Sequence, residues 1–222
     1  MNVNDLIVSE MARMEAYKGL SACYTLPVTG LVTRLKKLER QLAFLNSDAY
    51  TPAVFMRNEL ENTENLEKLK VEFARLFIGP YRLAAPPYGS IYLDEERKIM
   101  GDSTIDVRKR YLDSGLAISE NFKDAPDHIA AELEFMYFLV SNEINAISSE
   151  QLDESSEFLY RQKSFLIDHL GAWIVNFSSN TEISTDCDFY RNLARTTRIF
   201  IAEDLNYLSS LNVYQVSLMA TC

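Results

Sequence analysis

The chain has 222 residues, 47% of them hydrophobic, with 22 basic and 32 acidic side chains and a net charge of −10, enough for one sizeable core without demanding a second. The acidic balance argues against a nucleic-acid partner, whose phosphates need clustered Lys and Arg, and suits a cationic one. The longest apolar run, Phe135 to Val140, is far below the roughly 18 residues of a membrane span, and Met1 to Glu10 carries acids where an export signal carries bases, so a cytoplasmic protein is expected.

Helical periodicity is the pattern that recurs along the chain. Leu6, Ile7, Met11, Met14 and Tyr17 form one stripe; Leu31, Leu35, Leu38, Leu42 and Leu45 form another, with Lys36, Lys37, Glu39 and Arg40 off that face. Thr51-Pro52 reads as a cap followed by proline at the first helical position. Thr63 opens a helix carrying Leu66, Leu69, Phe73, Leu76 and Phe77, which Gly79 closes and Pro80 stops. Ser103-Thr-Ile-Asp106 fits the start of a helix and Gly115 its end. A long helix follows from Asp127 to about Ile147, another from about Ser149 to Leu170, broken near Gly171, and a last from about Asp186 to Leu211. With no convincing alternating strand and no repeat, the expected fold is all-α: a single globular bundle of about nine or ten helices over residues 1–222. A hinge is expected at 115–126, between two helical lobes. Opening it would let lobes exchange between chains, so a monomer and a domain-swapped homodimer both fit.

Little in the chain suggests bond-changing chemistry. Cys23, Cys187 and Cys222 are widely separated, and His128 and His169, the two histidines, sit in no ligand pattern, so neither a metal nor a cofactor is expected. There is no GxSxG and no glycine-rich loop ending in Gly-Lys-Ser or Gly-Lys-Thr, which leaves Ser90 a lone loop serine. Asp127 beside His128 is the one conceivable acid/base pair, yet adjacent residues at a helix start do not face each other. Asp127 capping the helix, with His128 bonded to a neighbouring loop, is the stronger reading. An enzyme using His128 is the rival to a binding protein.

Two segments stand apart. From Phe73 to Tyr92 an amphipathic helix ends in a loop that Pro86-Pro87 stiffens, presenting Tyr81, Tyr88 and Tyr92. From Ala125 to Leu139, Pro126-Asp127 opens a helix with the His128 imidazole in its first turn. These segments, with Glu72-Phe-Ala-Arg-Leu-Phe-Ile-Gly-Pro80, Ala85-Pro-Pro-Tyr-Gly-Ser-Ile-Tyr92, Gly101-Asp-Ser-Thr104 followed by Arg108 and Tyr111, Pro126-Asp-His128 with Glu132-Leu-Glu-Phe-Met136, and His169-Leu-Gly-Ala-Trp173, resemble the TorD/DmsD family. Tyr81 and Tyr88 stand where that family often has glycine and tryptophan.

The resemblance implies a cytoplasmic chaperone that holds the twin-arginine leader of an apo-molybdoenzyme, of the DMSO/TMAO reductase type, until its cofactor is inserted. Assembly of a nitrate-reductase-type molybdoenzyme is the alternative. Asp127 and His128 match residues that the family implicates in leader recognition. A leader joins two guanidinium groups to an apolar stretch, so its receptor should set carboxylates beside a hydrophobic groove. The expected peptide-binding residues are Asp127, His128, Tyr88, Ser90, Pro87, Tyr81, Glu132 and Asp102. Arg75, Gly79, Pro80, Pro86 and Arg108 are expected to support the loop, the two arginines by pairing with Glu72, Asp102 or Asp127. Asp94-Glu95-Glu96 reads as solvated surface, and Trp173 as core with His169 beside it.

Overall fold

Leu31, Leu35, Leu38 and Leu42 all fall on the buried side of one helix, and the same spacing builds most of the chain. The computed structural model describes residues 2–63, 66–79, 83–116 and 124–211, with backbone alone at 62 and 63. Among them are ten α-helices: α1 (Val3–Cys23), α2 (Leu31–Phe44), α3 (Tyr50–Thr63), α4 (Leu66–Phe73), α5 (Ser90–Leu93), α6 (Asp102–Asp113), α7 (Ile129–Ser148), α8 (Leu152–Asp168), α9 (Leu170–Ser184) and α10 (Asp188–Ser210). A π-helical turn, Ala74–Ile78, continues α4. The described residues contain no strand, only an isolated antiparallel bridge between Tyr88 and His128. The all-α bundle read from periodicity is the fold observed.

The longest helices make the frame. α7 packs along α1 and α8, while α10 packs against α9 and α3. Buried side chains from Ala16 to Leu208 join in one hydrophobic cluster. At its centre Tyr24, Phe77, Phe177 and Trp173 meet in edge-on or tilted contacts, with centroids 5.4–6.0 Å apart. Each such pair contributes about 0.5–1.5 kcal/mol beyond the area it buries.

Helix ends depart from expectation at three places. α3 starts at Tyr50, so Thr51 lies inside it, and Ser47 accepts the Ala49 amide just ahead. α6 starts at Asp102, and Asp94, outside the helix, accepts the Ser103 amide at 3.3 Å in place of a Ser103–Asp106 box. The chain bends between α8 and α9 at His169, two residues before Gly171. Gly171 is there for space, because a Cβ would collide with the Leu166 carbonyl. Gly115 (φ 80°) ends α6 as expected, and Gly79 (φ 35°) leaves the π turn in a conformation that favours glycine. Pro80, Tyr81 and residues 117–123 of the expected hinge lie outside the described residues.

Candidate functional site

The two distinctive segments lock together. Pro87 cannot donate a backbone bond but its carbonyl can accept, and Ile129 N–H donates to it at 2.9 Å. Gly89 N–H in turn donates to the Asp127 carbonyl at 2.9 Å. These two bonds form the bridge that pairs Tyr88 with His128. The Asp127 side chain extends the junction: it is fully buried, and its Oδ2 accepts the Ser90 amide at 2.7 Å. From α6, the Tyr111 hydroxyl donates to the Pro126 carbonyl at 2.9 Å. A single turn of loop is thereby tied to the start of α7 by backbone and side chain together.

His128, rather than Asp127, caps α7. Its Nδ1 accepts the Ala130 amide at 3.1 Å, a role that requires an unprotonated Nδ1. Burial holds the imidazole below its ordinary pKa, against the opposing pull of Asp124 and Asp127. The ring meets Tyr88 edge-on, with centroids 5.3 Å apart. The Tyr88 hydroxyl reaches outward to Asp124 at 3.2 Å, and burial together with that carboxylate pushes it up to about 12. Asp127 and His128 therefore engage different partners, and the geometry forms no acid/base dyad.

Glu132, one turn into α7, lies beneath the junction and is fully buried. Its Oε2 accepts the indole N–H of Trp173 at 2.9 Å. Burial pushes this carboxyl well above the usual range, with the Asp127 charge adding to the shift. Trp173 stacks on Tyr92 at 5.6 Å and 14°. A Cβ on Gly89 would lie 3.0 Å from Trp173 Nε1 and 3.3 Å from Glu132 Oε1. Ser90 Oγ, Asp127 Oδ1 and Glu132 Oε1 are buried without a hydrogen-bond partner among the described residues.

Of the expected peptide-binding residues, Pro87, Tyr88, Ser90, Asp127, His128 and Glu132 thus come together. Asp102 stands apart, exposed on the first turn of α6, beside a surface cavity of about 620 Å³ that Asp94, Glu95 and Glu96 also line. Among the loop supports, Arg75 pairs with Glu72 at 2.7 Å and donates to the Ser184 carbonyl. The Ser184 hydroxyl donates to the Ala84 carbonyl at 3.3 Å, so this chain of bonds reaches the base of the loop. Pro86 is half-buried and Arg108 exposed. His169 does not support Trp173; its Nε2 meets Asp106 of α6 at 2.6 Å. Trp173, expected as core, was not expected as the hydrogen-bond partner of Glu132, since neither spacing nor residue type announces a contact between α7 and α9.

Among the described residues no group of three His, Cys, Asp or Glu could hold a metal ion, and no helix is long and apolar enough to cross a membrane. A family model described as nitrate reductase delta subunit matches residues 31–179, a span that includes the whole junction and Trp173. The chain is 27% identical over 154 residues to the chaperone protein TorD of Vibrio parahaemolyticus, covering 68% of this chain and 69% of that one. It is 29% identical over 159 residues to the Tat proofreading chaperone DmsD of Salmonella typhimurium, covering 72% and 69%. A crystal structure described as a redox enzyme maturation protein from Archaeoglobus fulgidus shares the fold, with a TM-score of 0.54 and 22% identity over 85% of this chain and 93% of that one. By these matches the chain belongs to the TorD/DmsD family, within the nitrate reductase delta subunit model.

Proposed function

We propose that this protein is a cytoplasmic maturation chaperone that binds the twin-arginine leader of an apo-molybdoenzyme, of the DMSO/TMAO reductase type, and holds it until the cofactor is in place. It changes no bond. While the leader is occupied the export machinery cannot take it, and folding of the client shifts the balance.

The reading rests on the junction of Pro87–Ser90 with Asp127–Glu132, where the segments that carry the family likeness meet. At its rim stand an aromatic ring, Tyr88, a half-buried proline, Pro86, and an exposed carboxylate, Asp124. An arginine of the leader would donate charge-assisted bonds to Asp124, and the adjoining apolar residues would lie on Tyr88 and Pro86. Asp102 and the acidic surface near it would attract the cationic segment. Asp127, Ser90 and Glu132 are buried and serve by holding the loop. The chain acts as a monomer or as a domain-swapped dimer.

The test is to immobilise the chain in extract of its own organism and identify what it retains, with and without the client's leader. Retention of a molybdoenzyme only with its leader supports the proposal. Retention regardless of the leader favours a general assembly role, which the nitrate reductase description of the family model also suits. Turnover of a substrate by the isolated chain, lost in His128→Ala, would overturn the chaperone reading.

A further inference from the structure

The Gly89–Ser90 turn rests on a floor made by two other helices. Glu132 of α7 and Trp173 of α9 are both fully buried, joined at 2.9 Å, and lie so close under Gly89 that no side chain fits between. Trp173 also stacks on Tyr92, two residues beyond Ser90. From above, the turn is held by Gly89 N–H on the Asp127 carbonyl and Ser90 N–H on Asp127 Oδ2. The turn is gripped from both sides, and the height of Tyr88 over α7 follows from that grip.

We propose that Glu132 and Trp173 are positioning residues: their bonded pair fixes the level of the Gly89–Ser90 turn, and so the placement of Tyr88 beside His128 at the surface that receives the leader. The last step rests on the proposed function; the grip on the turn does not. Glu132 acts here as an acceptor for an indole N–H. A carboxamide oxygen performs that task as well, and burial already favours the uncharged form of the carboxyl. Trp173→Phe keeps an aromatic ring against Tyr92 and removes the donor, together with part of the buried ring volume. Gly89→Ala presses a methyl group into the floor and raises the turn.

Two readouts act on the unbound chain: hydrogen exchange at the Gly89 and Ser90 amides, and acrylamide quenching of Trp173, the single tryptophan in the sequence. A third is affinity for a synthetic twin-arginine leader peptide. Glu132→Ala should speed both exchanges, raise quenching and weaken the peptide about tenfold or more, a loss of roughly 1.4 kcal/mol. Glu132→Gln should restore most of all three, and Gly89→Ala should reproduce the defect. Should Glu132→Ala not fold, Trp173→Phe carries the comparison through exchange and affinity. Unchanged exchange and quenching in Glu132→Ala would overturn the positioning role. Normal exchange in Glu132→Gln with affinity as poor as Glu132→Ala would overturn it too, by showing that the charge itself touches the peptide. If the unaltered chain binds no leader, the exchange data still decide the grip, and the proposed function alone falls.

Discussion

Arg13 on α1 and Asp204 on α10, 191 residues apart in sequence, are joined by two hydrogen bonds of 2.6 and 3.1 Å in the interior. Around them Arg13 also pairs with Glu10 and donates to Gln162 of α8 at 2.8 Å, while Tyr17 donates to Asp204 at 2.6 Å. Glu143 of α7 receives Gln162 at 2.6 Å. One buried cation therefore holds three buried acids from α1, α7 and α10, and fixes how those helices meet around α8. Arg13→Met fills similar volume but leaves Glu10 and Asp204 without their counter-ion, which typically costs about 3–5 kcal/mol. Thermal unfolding should show a melting temperature lower by about 10 °C or more. A change within the error of the measurement would contradict the role given to Arg13.

Glu143 predicts how stability varies with pH. Burial, aided by the charge of Glu10, raises its carboxyl from the ordinary value of 4.5 to about 8, against the pull of Arg13. The folded chain then binds a proton that the unfolded chain has released. The stabilisation is complete below pH 4.5 and is lost as pH rises towards 8, by up to about 1.4 kcal/mol per pH unit. Glu143→Gln keeps an acceptor for Gln162 and cannot ionise, so its melting temperature should fall less between pH 6 and pH 9, each pH being about 1–2 units to either side of the midpoint. Parallel curves for the two proteins would contradict the assignment.

His128 gives the opposite slope. Its folded pKa lies below the ordinary 6.5, so its contribution is present above pH 6.5 and is lost as pH falls through the folded value. Protonation removes the Nδ1 acceptor and sets a positive charge at the N-terminus of α7. Loss of the cap in His128→Ala should cost about 1 kcal/mol at neutral pH, and His128→Asn, a good cap, should recover most of it. Urea unfolding at two pH values checks both statements. The idea fails if alanine and asparagine are equally destabilising.

The sequence made the helices legible because burial repeats along a helix face: the leucines of α2 form a stripe that is buried in the fold. It was less informative wherever a helix end takes its partner from elsewhere. Asp94, nine residues before Ser103, serves α6 by a pairing that no local rule marks. The site divides in the same way. Tyr88, Ser90, Asp127 and His128 were marked by unusual local chemistry, whereas the contact of Glu132 with Trp173 joins positions 41 residues apart. The Arg13 network was hidden because charged residues in an amphipathic stripe read as solvated, and only packing shows that Glu10, Arg13 and Asp204 face inward.

Tyr111 ties α6 to the junction through the Pro126 carbonyl. Tyr111→Phe keeps the ring against Phe135 and strands that carbonyl, at a cost of about 1–3 kcal/mol. Hydrogen exchange should quicken at Gly89, which donates to the Asp127 carbonyl of the loosened Pro126-Asp127 turn, and at Ile129, which follows that turn and donates to the Pro87 carbonyl. Faster exchange confined to α6 would show that Tyr111 braces its own helix alone.

The proposed function turns on recognition of paired arginines beside an apolar stretch. Isothermal titration of the purified chain with a synthetic leader carrying two arginines, and with the same peptide carrying two lysines, tests it most directly. Bidentate bonding predicts measurable binding of the arginine peptide and a loss of about tenfold or more for the lysine one, with a further loss in Tyr88→Ala and Asp124→Asn. Equal affinity for the two peptides, or no heat with either, would contradict it.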